Sequence, residues 1–196
     1  MYFSIAGEDL LHLAVAEKIV AHFGCEVAAS HNRNGCGRVD SGLRGFAAAS
    51  TYSPWLVFRD LDAAPCAPAL LEKILPERDE YPNLLLRIVV REVESWIIAD
   101  RTNLAQFLGV SLTKIPLDPE SLAHPKEAMI LLANQTRHRK IRDGLVPRGG
   151  SGASVGPEYN SILEAYIWDK WSIEGAAANA PSLSRLLQRF QILLDK

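Results

Sequence analysis

Short continuous apolar runs alternate with longer stretches of helical spacing in the first half of the chain. Tyr2–Ala6 is an apolar run closed by Gly7, which predicts a first strand. From Leu10 to Phe23 the positions Leu11, Ala14, Val15, Ile19 and Val20 follow a helical period, and Gly24 supplies a stop. Cys25–Ala29 predicts a second strand. Residues 31–41 are polar and glycine-rich, which predicts a loop, followed by a short helix over Leu43–Ser50. The segment WLVFRDLD predicts a strand at Trp55–Arg59 that ends in acids, and a helix is expected over Ala67–Leu75. Leu84–Val90 is the longest continuous apolar run and predicts a buried central strand.

Strand, helix, strand at this spacing indicates βαβ units and a mainly parallel sheet. Right-handed crossovers then gather the C-terminal strand ends on one edge, where open α/β sheets bind ligands. The second half reads as helical, over Glu92–Ala99, Leu104–Leu108 with Asp100 as its N-cap, Leu122–Ala133, Pro157–Trp171 and Pro181–Leu194. Between them, residues 135–157 form a basic, then glycine-rich stretch expected to be flexible. The expected organisation is an α/β core over residues 1–110 and a helical extension over 111–196.

Composition narrows the function classes. Of 196 residues 48% are hydrophobic, enough for a sizeable core, and the formal net charge of -2 argues against a strongly basic nucleic-acid-coating protein. The three cysteines, Cys25, Cys36 and Cys66, form no CxxC pair, so no zinc knuckle is supported and reduced thiols are expected. No apolar run approaches the roughly 18 residues of a membrane span. The N-terminus carries no basic region before its apolar stretch, so a cytoplasmic protein is expected.

Acids after strands carry the candidate chemistry. Glu8 follows the first strand, Asp60 and Asp62 follow the third as a DxD pair, and Glu92 and Glu94 follow the fourth. Clustered carboxylates repel one another unless a cation or proton intervenes, and Mg²⁺ or Mn²⁺ favours such oxygen ligands. Of the last pair, Glu94 is the expected ligand. Asp9 and Asp100 read as helix caps. His12 reads as structural and His31 as solvated. Trp55, Trp96, Trp168 and Trp171 read as core or interface aromatics. Phosphate contacts are open to Arg38 and Arg44 near the Gly35 and Gly37 loop, to Arg137, Arg139 and Lys140, and to Lys126.

At these residues the chain resembles the Toprim fold, the catalytic domain of topoisomerases, primases and small nucleases. Glu8 in IAGEDLLH matches the family's glutamate after strand one, and Asp60 and Asp62 in LVFRDLD match its DxD. Gly7 stands before Glu8 where the family's first motif is nearer V-E-G-x-T-E. REVESWIIAD, with Glu94 two residues before Trp96, and DPESLAHPKEAM are similar to Toprim-like proteins of bacterial defence operons, often encoded beside ABC-type ATPases. The resemblance implies a Rossmann-like sheet and a Mg²⁺ site at Glu8, Asp60 and Asp62, with Glu94 serving a second metal. It also implies acid–base work for Glu8, a nucleic-acid substrate and an ATPase partner. The expected function is Mg²⁺-dependent phosphodiester cleavage. A non-catalytic partner subunit of an ATPase and a phosphatase of the haloacid-dehalogenase type stay open as alternatives.

Overall fold

A computed structural model describes all 196 residues. The chain divides into two compact units, one comprising Met1–Val90 with Ser182–Lys196 and the other Arg91–Pro181. This division lies earlier than residue 110, and the last helix returns to the first unit instead of closing a helical extension.

The first unit is an α/β sandwich of Rossmann-like type. Strands β1 (Tyr2–Gly7), β2 (Glu26–Asn32), β3 (Trp55–Asp60) and β4 (Leu84–Val89) alternate with helices α1 (Leu10–His22), α2 (Cys36–Ala49) and α3 (Ala67–Ile74). The sheet has the order β2-β1-β3-β4, and every pairing is parallel. The chain passes from β1 outward to β2, then back across β1 to β3. That reversal places the topological switch point between β1 and β3, where sheets of this winding bind ligands.

The burial pattern explains the sheet. All six residues of β3 are buried, as a strand paired on both sides and covered on both faces must be. One face packs Ala6, Val57 and Leu86 against Val39, Leu43, Phe46 and Ala47 of α2. On the opposite face, the final helix of the chain stacks Phe190 on Phe3 at 4.7 Å and on Phe23 at 4.4 Å. An amphipathic helix 180 residues away in sequence thus completes the core laid down by the first strand.

Two expectations change here. β4 is an end strand, not a central one. Helices on both faces bury an end strand as thoroughly as lateral pairing does, so its apolar run does not reveal its position. Residues 31–41 are not a loop throughout: β2 runs on to Asn32 and α2 begins at Cys36. Glycine lowers helix propensity there. The apolar stripe Val39, Leu43, Phe46 and Ala47 overrides it, since all four are buried against the sheet. Ring stacking on Trp55 at 5.2 Å holds His31 in β2.

The second unit contains α4 (Val93–Ala99), α5 (Arg101–Leu108), α6 (Pro125–Asn134), α7 (Arg139–Leu145), α8 (Tyr159–Asp169) and α9 (Ile173–Ala177). Every residue of α4 is buried, which makes it the unit's central helix. Trp171 Nε1 donates to the Trp96 carbonyl at 3.0 Å, and Asp100 accepts from the Ser172 amide at 2.7 Å. Asp100 therefore stands at the start of α5 but spends its carboxylate on Ser172 and Asn103. The basic stretch expected to be flexible contains helix α7. Trp168 is 43% exposed on α8, whereas Trp171 follows the end of that helix and is 1% exposed.

The final helix, α10 (Pro181–Leu194), is the element most distant in sequence from the core it completes. Phe190→Ala is expected to cost about 3–5 kcal/mol, the range for truncating a buried aromatic. Urea unfolding monitored at the first unit checks this. A loss below about 1 kcal/mol would mean that α10 is not part of that core.

Candidate metal centre

β1 ends at Gly7, and the next two residues start the site. Asp9 caps α1, accepting from the amides of Leu11 at 3.0 Å and His12 at 3.1 Å. This cap fixes the first turn, so His12 faces back toward the strand end. The approach is close: a Cβ on Gly7 would stand 2.5 Å from the His12 Cβ. Glycine at this position lets the imidazole sit directly over the end of β1. The loop after β2 is tied to the same place. The Arg33 amide donates to the Gly7 carbonyl and the Gly35 amide to the Glu8 carbonyl, both at 2.9 Å. Gly35 adopts φ 114, a conformation other residues rarely enter.

β3 delivers the other half. Asp60, its last residue, is 6% exposed, and its amide donates to Glu8 Oε1 at 2.8 Å. His12, 1% exposed, places Nε2 2.8 Å from Asp60 Oδ1 and Nδ1 2.8 Å from Asp9 Oδ1. Two carboxylate acceptors on two ring nitrogens call for two N–H donors, so His12 bridges them as an imidazolium. Burial by itself favours the neutral ring. The Asp60 charge and hydrogen bond, aided by Asp9, outweigh it and hold His12 well above the ordinary histidine range.

Glu8 shifts upward too. Burial, then the Asp60 charge, raise it to about 7, against the opposing pull of the Asp60 amide, His12 and Arg59. Neither Glu8 Oε2 nor Asp60 Oδ2 carries a hydrogen bond. Ligand atoms of Glu8, His12 and Asp60 all lie within 4.8 Å of one another, a cluster that could hold a metal ion, and with both His12 nitrogens engaged the atoms left for it are carboxylate oxygens.

Arg59 organises the remaining acids. Its Nε donates to Asp40 at 3.1 Å, and one terminal nitrogen donates to Asp62 at 2.6 Å and to Glu8 at 3.4 Å. The same nitrogen also donates to the Asp60 carbonyl. Asp62 stands at φ 51, a left-handed conformation that aspartate tolerates better than most residues. The turn directs its carboxylate to Arg59, so the second acid of the DxD lies outside the three-residue cluster.

Glu94 belongs to the second unit. It is fully buried in α4, where Tyr159 donates to it at 3.0 Å and Lys126 Nζ lies 3.6 Å away. Glu92 accepts from the Lys126 amide at 2.8 Å and so caps α6. Glu94 and Lys126 thus meet each other within one helical unit, which accounts for the apolar–acidic pattern of REVESW. Arg38 and Arg44 are exposed on α2, with Arg44 3.5 Å from Glu77. Arg137, Arg139 and Lys140 are exposed at and before the start of α7, and Arg139 donates to Asp143 at 3.2 Å.

His12, expected to be structural, is a member of the site. Its signal was present: with Asp9 fixed as the cap, a residue three positions on lies above the cap and beside the strand end. Comparison with protein-family models, curated proteins and solved structures gives no match to this chain. No helix is long and apolar enough to cross a membrane.

Both upward shifts make the native state bind protons more tightly than the unfolded chain. Their stabilisation is complete below the ordinary values of 4.5 for Glu8 and 6.5 for His12. It is lost as pH rises, for Glu8 between 4.5 and about 7 and for His12 above 6.5. With chelator present, wild type is expected to lose thermal stability relative to Glu8→Gln as pH climbs from about 5 to about 8. Parallel melting curves across that window would show that Glu8 does not titrate as described.

Proposed function

We propose that this chain is a divalent-metal-dependent nuclease of the Toprim type, acting at the β1 and β3 strand ends with Mg²⁺ or Mn²⁺. One observation carries the reading. The glutamate after β1 and the aspartate that ends β3 converge at the sheet's switch point, tied by the Asp60 amide, with one oxygen of each left open. These are the positions at which the Toprim resemblance puts its acid–base glutamate and its metal-binding DxD.

The residues fit a hard cation. Glu8 and Asp60 hold it through oxygens, as Mg²⁺ prefers, and His12 fixes Asp60 from behind. A divalent ion there supplies Lewis-acid stabilisation of a phosphoryl oxygen and lowers the pKa of bound water. Without the ion, burial and the Asp60 charge raise Glu8 to about 7, and a cation bound there would take the place of that proton. Arg59 holds Glu8, Asp40 and Asp62 in register, so Asp62 acts as a positioning residue through that guanidinium. The exposed Arg38 and Arg44 of α2 are suited to backbone phosphates, and Arg137, Arg139 and Lys140 add the same chemistry on the second unit. Lys126 and Glu94 are assigned to the second unit's own packing, and no second metal is placed at Glu94.

Calorimetric titration of Mg²⁺ and Mn²⁺, with supercoiled plasmid and structured RNA incubated in parallel, tests this. Asp60→Asn is expected to abolish metal binding and cleavage together. Asp62→Asn, acting through Arg59, is expected to lose about 10–100-fold, the range for residues that support metal ligands. Cleavage that survives Asp60→Asn in a clean preparation removes the nuclease reading. Absence of metal binding in wild type favours the partner-subunit alternative.

A further inference from the structure

The outer edge of the sheet carries a cluster of opposite sign. β4 is an end strand, so its outer edge has no strand partner. Arg87, in the middle of β4, lies beside Arg185 and Arg189 of α10. All three line a cavity of about 620 Å³, together with Gln188 and an apolar wall that includes Leu71 and Ile88. An adjoining cavity of about 260 Å³ shares Arg87 and Arg189 and adds Arg78 and Lys196, against the single acid Asp79.

None of the three arginines takes part in an ion pair or a hydrogen bond, and the buried Nε of Arg87 has no partner. Elsewhere in the same unit the chain treats a buried guanidinium differently: Arg59 meets three carboxylates. Burial, then the charges of Arg189 and Arg185, lower Arg87 to about 10, so it stays cationic at neutral pH. A desolvated cation beside two like charges is unfavourable unless an anion joins it.

We propose that the cavity between β4 and α10 binds a phosphorylated small molecule of nucleotide size, with Arg87, Arg185 and Arg189 on its phosphate. Guanidinium forks match phosphate oxygens two at a time, and three converging cations suit a dianion better than a single carboxylate. The larger cavity falls within the ~300–1,000 Å³ typical of small-molecule sites, too confined for a duplex. Its apolar wall accommodates a ring system. The cavity shares no lining residue with the Glu8, His12 and Asp60 cluster, so the proposal stands independently of the nuclease reading.

Calorimetry in chelator, which silences any metal site, provides the test. The probes are AMP, inorganic phosphate, adenosine and a poly-glutamate peptide. AMP is expected to bind, phosphate to compete with it more weakly, and adenosine to fail. Arg185→Gln/Arg189→Gln is expected to weaken AMP binding at least tenfold and to raise the ligand-free melting temperature by relieving repulsion on Arg87. Both positions are exposed on α10, and far-UV circular dichroism confirms that the variant folds. No binding of AMP or phosphate overturns the proposal, as does binding that the double substitution leaves unchanged. AMP binding no tighter than phosphate removes the role of the apolar wall. Poly-glutamate binding tighter than AMP replaces the small molecule with an acidic protein segment.

Discussion

The hydrogen bond from the Asp60 amide to Glu8 joins the ends of two neighbouring parallel strands, and the other features of the site are arranged around it. It holds a glutamate against the backbone of an aspartate in a part-buried setting, where their like charges are poorly screened. Such a pair persists only with positive charge close by. The chain supplies that charge on two sides, with His12 on Asp60 and Arg59 on Glu8. Each of these is positioned by something further out. Asp9 orients His12, Gly7 makes room for it, and Asp40 and Asp62 hold Arg59. The result is an acidic pocket in which Glu8 holds its proton more tightly than usual, the condition under which a divalent ion can replace it.

Much of this was legible in the sequence, and the parts that were not share a cause. Alternating apolar runs and helical stripes give the parallel sheet, and Glu8 and Asp60 are readable as acids that follow strands. Local signals also identify Asp9 as a cap. What sequence periodicity does not contain is lateral order. β4 reads as central because it is buried, yet its burial comes from helices on both faces. Glu94 follows a strand as Glu8 does, but the chain leaves the sheet at Val90, and Glu94 is absorbed into the core of the helical unit. Asp62 lies two residues from Asp60, and only the left-handed turn at that position sends its carboxylate to Arg59. The place of His12 beside its cap Asp9 is readable three residues away, but its second partner, Asp60, lies 48 residues away and only the fold brings it to the ring.

The first unit handles its guanidinium groups in two ways. Arg59 is neutralised by carboxylates on three sides, which stiffens the acidic edge. Arg87 has like charges for neighbours and a cavity in front of it. α10 ties these features together: Phe190 closes the core on one stretch of the helix while Arg185 and Arg189 present charge on another. A segment at the far end of the sequence thus contributes both to the stability of the sheet and to its chemistry.

The nuclease proposal requires Glu8 and Asp60 to form a divalent-cation site. Anomalous diffraction from crystals soaked in Mn²⁺ tests it most directly. The predicted result is a peak at about 2.1–2.2 Å, close to the Mg²⁺–oxygen distance, from one oxygen each of Glu8 and Asp60. No peak at the β1 and β3 ends, with His12 still bridging Asp9 and Asp60 at saturating Mn²⁺, would contradict the claim and leave the imidazolium as the site's permanent cation.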